Sequence, residues 1–139
     1  MIDRIVRWAR KKSPWILHYN SGGCNGCDIE LLDALTPRYD VERLGILKEA
    51  SPRHADILIC TGPVTLKSRI PLLRIYEQIP EPKWVVALGS CACSGSVFAD
   101  SYHVLGGVEQ TLPVSMYVPG CPCRPEAIIS ALADLLERI

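Results

Sequence analysis

Seven cysteines dominate the chemistry available to this 139-residue sequence: Cys24, Cys27, Cys60, Cys91, Cys93, Cys121 and Cys123. Six of them form three tight pairs, Cys24-Asn25-Gly26-Cys27, Cys91-Ala92-Cys93 and Cys121-Pro122-Cys123. An odd number of thiols cannot pair off completely. The first twelve residues are charged and amphipathic, with no apolar export leader behind them, so a reducing compartment is expected. There, clustered cysteines bind metal or react rather than form disulfides. Structural zinc sites usually show two pairs of C-x₂₋₄-C type, and only the first pair here has that spacing. A 4Fe–4S cluster also needs four thiolates but accepts scattered single ligands. The spacing therefore favours iron–sulfur over zinc.

The elements around these pairs have to bring them together. Short apolar runs at Trp15–Tyr19, Asp40–Leu44, Asp56–Cys60, Lys83–Leu88 and Ser115–Val118 read as strands buried on both faces of a parallel sheet. Helices are expected between them: Asp28–Leu35, then Leu66–Ile79 restarting at Pro71, then a last helix from Pro125 with Ile128, Leu132, Leu135, Leu136 and Ile139 as its apolar stripe. The segment 95–113 has no clear period and reads as a long loop. Strands alternating with helices imply βαβ units, and so an α/β, flavodoxin-like three-layer sandwich with a mostly parallel sheet. Each cysteine pair follows a strand, and open parallel sheets bind ligands beyond the carboxyl ends of their strands. Three distant segments would thus deliver thiols to one edge.

Four ligands must come from seven cysteines. Cys60 lies inside an apolar run and reads as a small core residue. In an extended segment, residues two apart face the same way, so neither Cys91 and Cys93 nor Cys121 and Cys123 can be separated on spacing, and four combinations stay open. The helix starts behind Cys27 and Cys123 should favour thiolates through their partial positive charge.

Composition limits the remaining functions. Basic and acidic residues balance at 15 each, which argues against a nucleic-acid binder held by phosphate contacts. No apolar run is long enough for a membrane span. Residues 1–14 read as an N-terminal amphipathic arm, and 15–139 as a single cluster-binding domain. In the arm, Arg4, Arg7, Arg10, Lys11 and Lys12 against Asp3 leave a local charge of +4, as in a solvated helix or a docking arm for a partner chain or an anionic membrane. No G-x-S-x-G elbow or Walker lysine is present. His18, His54 and His103 are not spaced as a metal set.

The segment Gly23-Cys24-Asn25-Gly26-Cys27-Asp28-Ile29-Glu30 resembles the first cluster motif in small subunits of membrane-associated, energy-converting nickel–iron hydrogenases. Pro37-Arg38-Tyr39-Asp40, Ser51-Pro52-Arg53-His54-Ala55-Asp56, Thr61-Gly62-Pro63-Val64 and Pro119-Gly120-Cys121-Pro122 continue the resemblance from about Trp15 to the C-terminus. The 20-kDa-type subunit of respiratory complex I shares several of these blocks, but it typically carries two adjacent cysteines where this sequence has C-x-x-C.

The resemblance implies one proximal 4Fe–4S cluster on Cys24, Cys27, Cys91 and Cys121, with Cys93 and Cys123 as extra thiols. It implies that the nickel–iron centre sits on a large catalytic partner subunit. The other implied partners are a ferredoxin-like iron–sulfur subunit, membrane ion-translocating subunits and soluble ferredoxin as electron donor. It implies a peripheral position on the cytoplasmic face of the membrane. An acid near the first motif is a candidate proton relay, which points to Glu30; the plain alternative is a solvent-facing helix residue. Asp28 reads as a charge partner of its helix start. Two other functions compete: a homologous subunit of a nickel-free, complex I-like quinone or sulfur reductase, and a zinc-stabilised interaction module.

Overall fold

The apolar run Ile57–Thr61 forms a central strand with all five residues buried. Burial on both faces requires helices on both sides, and the chain supplies them. The computed structural model describes residues 2–139, apart from the side chain of Asp3; Met1, the first residue of the expected arm, lies outside the described residues. In chain order the elements are α1 (Ile2–Lys12), β1 (Trp15–Asn20), α2 (Gly26–Ala34), β2 (Leu47–Lys48), β3 (Ile57–Thr61), β4 (Val64–Thr65), α3 (Leu66–Gln78), β5 (Trp84–Leu88), α4 (Ser90–Ser94), β6 (Val104–Gly106), β7 (Met116–Val118) and α5 (Pro125–Arg138).

The sheet runs β2-β1-β3-β5-β7, with every neighbouring pair parallel. Counting only these five strands, the order is 2-1-3-4-5, the doubly wound flavodoxin-like arrangement expected from the sequence. Alternation along the strands divides the core in two. Ile57 and Ile59 face α2 and α5, where they join Leu31, Ile128 and Leu132. Leu58 and Cys60 face the other way, toward Leu72 of α3, Ala92 of α4 and Val108.

The structure corrects three expectations about elements. The run Asp40–Leu44 is not a strand. Val41–Leu44 is a 3₁₀ turn between Asp40 (φ 51°) and Gly45 (φ 81°), and the edge strand β2 comes three residues later. Val41 and Leu44 are three apart, which suits a helical turn and not an alternating strand. Gly45 is needed because a side chain there would run into the Lys12 carbonyl.

The second correction concerns α3, which runs through Pro71 instead of restarting there. A capping box between Thr65 and Ser68 starts it: Ser68 N donates to Thr65 Oγ1 (3.1 Å) and Thr65 N to Ser68 Oγ (3.0 Å). Pro71 is exposed and Leu72 is fully buried, so the missing backbone bond falls on the wet side. Third, the expected loop 95–113 contains two 3₁₀ turns and β6, which pairs antiparallel with β4. These pieces are too short to show a period.

Candidate metal centre

Strand register aligns the chain segments that carry the thiols. Asn20 stands beside Thr61, Thr61 beside Leu88, and Leu88 beside Val118. The loops after β1, β3, β5 and β7 therefore leave the sheet along one line. Hydrogen bonds tie them to each other. Ser90 N donates to the Gly120 carbonyl at 2.8 Å, Ser90 Oγ donates to the same oxygen at 3.1 Å, and Gly89 N donates to Val118 O at 2.7 Å. On the other side, Ser21 Oγ donates to the Thr61 and Gly62 carbonyls, both at 2.9 Å. Asn20 Oδ1 accepts from Gly22 N and Gly23 N at 2.9 and 2.7 Å, which shapes the turn leading to Cys24.

These loops enclose a cavity of about 70 Å³ lined by Cys24, Cys27, Cys91 and Cys121, with Gly23, Gly26, Gly62 and Gly120 between them. Gly89 has φ 92°, and a side chain on it would collide with Cys27 Sγ. Glycine at this point makes room for the sulfur.

Local geometry separates the thiols that spacing could not. Cys91 and Cys93 lie on the short helix α4, where residues two apart point to nearly opposite sides. Cys91 lines the cavity; Cys93 turns back to the sheet, its thiol 3.6 Å from the Ala87 carbonyl. Cys121 is exposed at the cavity, whereas Cys123 is buried in the core under α2 and α5. Cys60 is a core residue as expected, and burial pushes its thiol up to about 12.

The thiols affect one another electrostatically. Cys27 is lowered to about 6, chiefly by a side-chain hydrogen bond with Cys123; burial and the charges of Asp28 and Glu30 oppose this. The same contact, with burial, pushes the Cys123 thiol up. An acidic Cys27 is expected from its helix start, but the main cause is this neighbouring thiol. Cys91 is raised, first by burial and then by the negative charges of Cys121, Cys27 and Cys24. Four thiolates in one cavity repel, and a cationic group between them relieves that repulsion.

The donor set fits an iron–sulfur cluster. Four thiols line one cavity that contains no lysine or arginine among its lining residues. Among the described residues, no three His, Cys, Asp or Glu side chains converge closely enough for a single metal ion. Four sulfurs around one zinc ion at about 2.3 Å would stand about 3.8 Å apart.

Glu30 lies half-buried on α2, and its charge reaches both Cys27 and Cys123. Asp28 does more than complement its helix start. Its carboxylate accepts from Thr61 Oγ1 and Asn20 Nδ2, and Oδ1 lies 3.0 Å from His18 Nε2. Burial works to raise this carboxyl, yet the hydrogen bonds from Thr61 and Asn20, with His18 beside it, bring it below the usual carboxylate range. Sequence reasoning missed this network. The available signal was alternation: His18 and Asn20 share a strand face with Ile16, the face that α2 covers. His54 ends a 3₁₀ turn and stacks on Trp15 with ring centroids 6.1 Å apart, away from the thiols.

Fold and thiol cage together define a member of the small-subunit class of hydrogenases and complex I-type enzymes. The chain belongs to the family described as NADH ubiquinone oxidoreductase, 20 Kd subunit, which matches residues 24–135. It is 52% identical over 128 residues to a probable membrane-bound hydrogenase subunit, mbhJ, of Pyrococcus furiosus, covering 92% of this chain and 77% of that protein. It is 48% identical over 139 residues to an NADH-quinone oxidoreductase subunit of Citrifermentans bemidjiense, covering 99% of this chain and 79% of that protein. These relatives are subunits of oxidoreductase complexes. Among solved structures, a chain of the membrane-bound sulfane sulfur reductase, an archaeal respiratory membrane complex, superposes with TM-score 0.84 at 40% identity, covering 96% of this chain and 73% of that one. An NAD⁺-reducing [NiFe]-hydrogenase chain shares the fold, with TM-score 0.70 at 21% identity over 91% of this chain and 92% of that one.

Proposed function

We propose that this chain is the electron-transfer subunit of an energy-converting nickel–iron hydrogenase. It holds one 4Fe–4S cluster on Cys24, Cys27, Cys91 and Cys121. In this reading it links ferredoxin-type clusters to the nickel–iron site of a large catalytic subunit, for reversible proton reduction coupled to ion translocation, from a peripheral position on the cytoplasmic face of the membrane. The observation that carries the proposal is the convergence of four thiols from three distant loops on one cavity.

When bound, the cluster supplies one-electron transfer. The chain's own residues prepare its place. The neighbouring Cys123 thiol pulls Cys27 down to about 6, which favours its thiolate. Gly89 leaves room for the Cys27 sulfur, and the Ser90–Gly120 bonds fix the distance between the Cys91 and Cys121 loops. Half-buried Glu30, three residues after Cys27, is proposed to pass protons toward the partner subunit. The apolar side chains of Ile29 and Leu32 on α2, and of Val97 and Phe98 just after α4, remain exposed near the cysteine loops, and the large subunit is proposed to cover them.

The second reading is a nickel-free reductase of the same family, favoured by the superposition on the sulfane sulfur reductase chain. Metal analysis of the intact complex, purified anaerobically through this chain, separates the readings. Iron with stoichiometric nickel supports the hydrogenase. Iron without nickel supports the reductase, and zinc alone sinks both. Serine at position 24, 27, 91 or 121 should cut iron and acid-labile sulfide severely, whereas Cys93→Ser should retain them. The reverse pattern for Cys91 and Cys93 would refute the ligand assignment.

A further inference from the structure

Helix α1 is amphipathic, yet apart from the partly buried Val6 its large apolar side chains face away from the protein. Ile2, Ile5 and Trp8 are 75%, 60% and 63% exposed. They follow one another at three-residue steps and so form a continuous row along the helix. Polar side chains attach the helix to the body instead. Arg10 Nε meets Asp56 Oδ1 at 2.9 Å, Arg10 also donates to the Pro82 carbonyl, and Lys11 Nζ donates to the Glu137 carbonyl at 3.5 Å. The helix is thus docked with its apolar row outward.

The charges beside that row are positive. Arg4 lies one turn before Trp8 and Lys12 one turn after it, on the same side. Arg7 and Lys11 lie farther round the helix, toward the body, where Arg7 shares a cleft with Val6, Glu81 and Pro82. A cleft next to α1 continues the surface with Trp8, Lys12, Arg43 and Leu136; Glu42 and Glu137 also line it.

A cationic helix with an exposed tryptophan and isoleucine row is matched by an interface that is anionic above and apolar below. A folded protein chain that covered the row would need acidic groups at the flanking positions as well. A bilayer of anionic lipid supplies both properties at once. We propose that α1 lies in the headgroup layer of an anionic phospholipid membrane, with Ile2, Ile5 and Trp8 inserted and Arg4 and Lys12 among the phosphates. This surface is independent of the thiol cavity and does not rest on the electron-transfer reading.

The position of α1 sets the orientation. Its contacts fall on Asp56 just before β3, Pro82 just before β5 and the last turn of α5. All lie at the edge of the sheet opposite the cysteine loops. With α1 in the headgroups, the cavity points away from the membrane.

Flotation of the full chain with vesicles tests the proposal. Vesicles containing phosphatidylglycerol should carry the protein upward, and pure phosphatidylcholine should not. Binding should fall as salt rises, and Arg4→Gln and Lys12→Gln should each weaken it roughly fivefold. Ile5→Asp should abolish it. Circular dichroism and iron content should stay unchanged in these variants, because none of the substituted side chains touches the core or the cavity. Equal binding to both vesicle types, or full binding by Ile5→Asp, would overturn the proposal. So would a chain that ignores vesicles while α1 variants release it from its complex, since that result makes the row a protein interface.

Discussion

Asp28 carries the clearest acid-dependent contribution to the fold. Its carboxylate is held by Thr61, Asn20 and His18 and lies below its ordinary range even though burial works against it. A group depressed in the folded state contributes stability that is present above its unfolded pKa and is lost as pH falls through the folded value. Asp28→Asn should therefore destabilise the metal-free chain at about pH 7 and destabilise it less at about pH 3. Urea midpoints at both values check this, and an equal loss at both would show that the charge is not responsible. The pairing of Asp28 with His18 was hidden because ten residues and a turn separate them. The cysteine pairs were visible because each one follows an apolar run.

At the scale of elements, α3 shows how a local rule gives way to packing. Proline in a helix interior removes a backbone bond and crowds the preceding turn, yet α3 continues because the Thr65–Ser68 cap and buried Leu72 hold both sides of Pro71. The helix should bear that strain as a measurable cost. Pro71→Ala is expected to stabilise the protein by about 1–3 kcal/mol in urea denaturation, and a loss of stability would mean that the ring itself packs usefully. Element identity was legible wherever apolar spacing was long enough, as in α5 and β3. It failed where the pieces were short. The 3₁₀ turn at Val41–Leu44 contains two apolar residues, too few to distinguish strand from helix. The choice between Cys91 and Cys93 depended on such a short element, since α4 turns them apart where an extended segment would have aligned them.

Over the whole molecule, the parallel, flavodoxin-like sheet and the edge that gathers the thiols followed from alternation of strands and helices. The direction of exposed apolar groups did not, because periodicity shows that a helix has two faces and not which one the protein uses. Two separate apolar surfaces result, one on α1 and one near the cysteine loops. They should be separable by mutation. Phe98→Asp together with Ile29→Asp should reduce the large subunit recovered with this chain while leaving iron content and vesicle binding intact. Unchanged recovery would remove that patch from the subunit interface.

The hydrogen bonds from Gly89 and Ser90 to Val118 and Gly120 join β5 to the final strand of the sheet. The fourth thiol, Cys121, comes into position only when β7 has docked. On the proposed cluster assignment, biosynthesis inherits a checkpoint from this arrangement: a nascent or truncated chain without β7 presents at most three of the four sulfurs, and only the finished sheet offers a complete set of ligands.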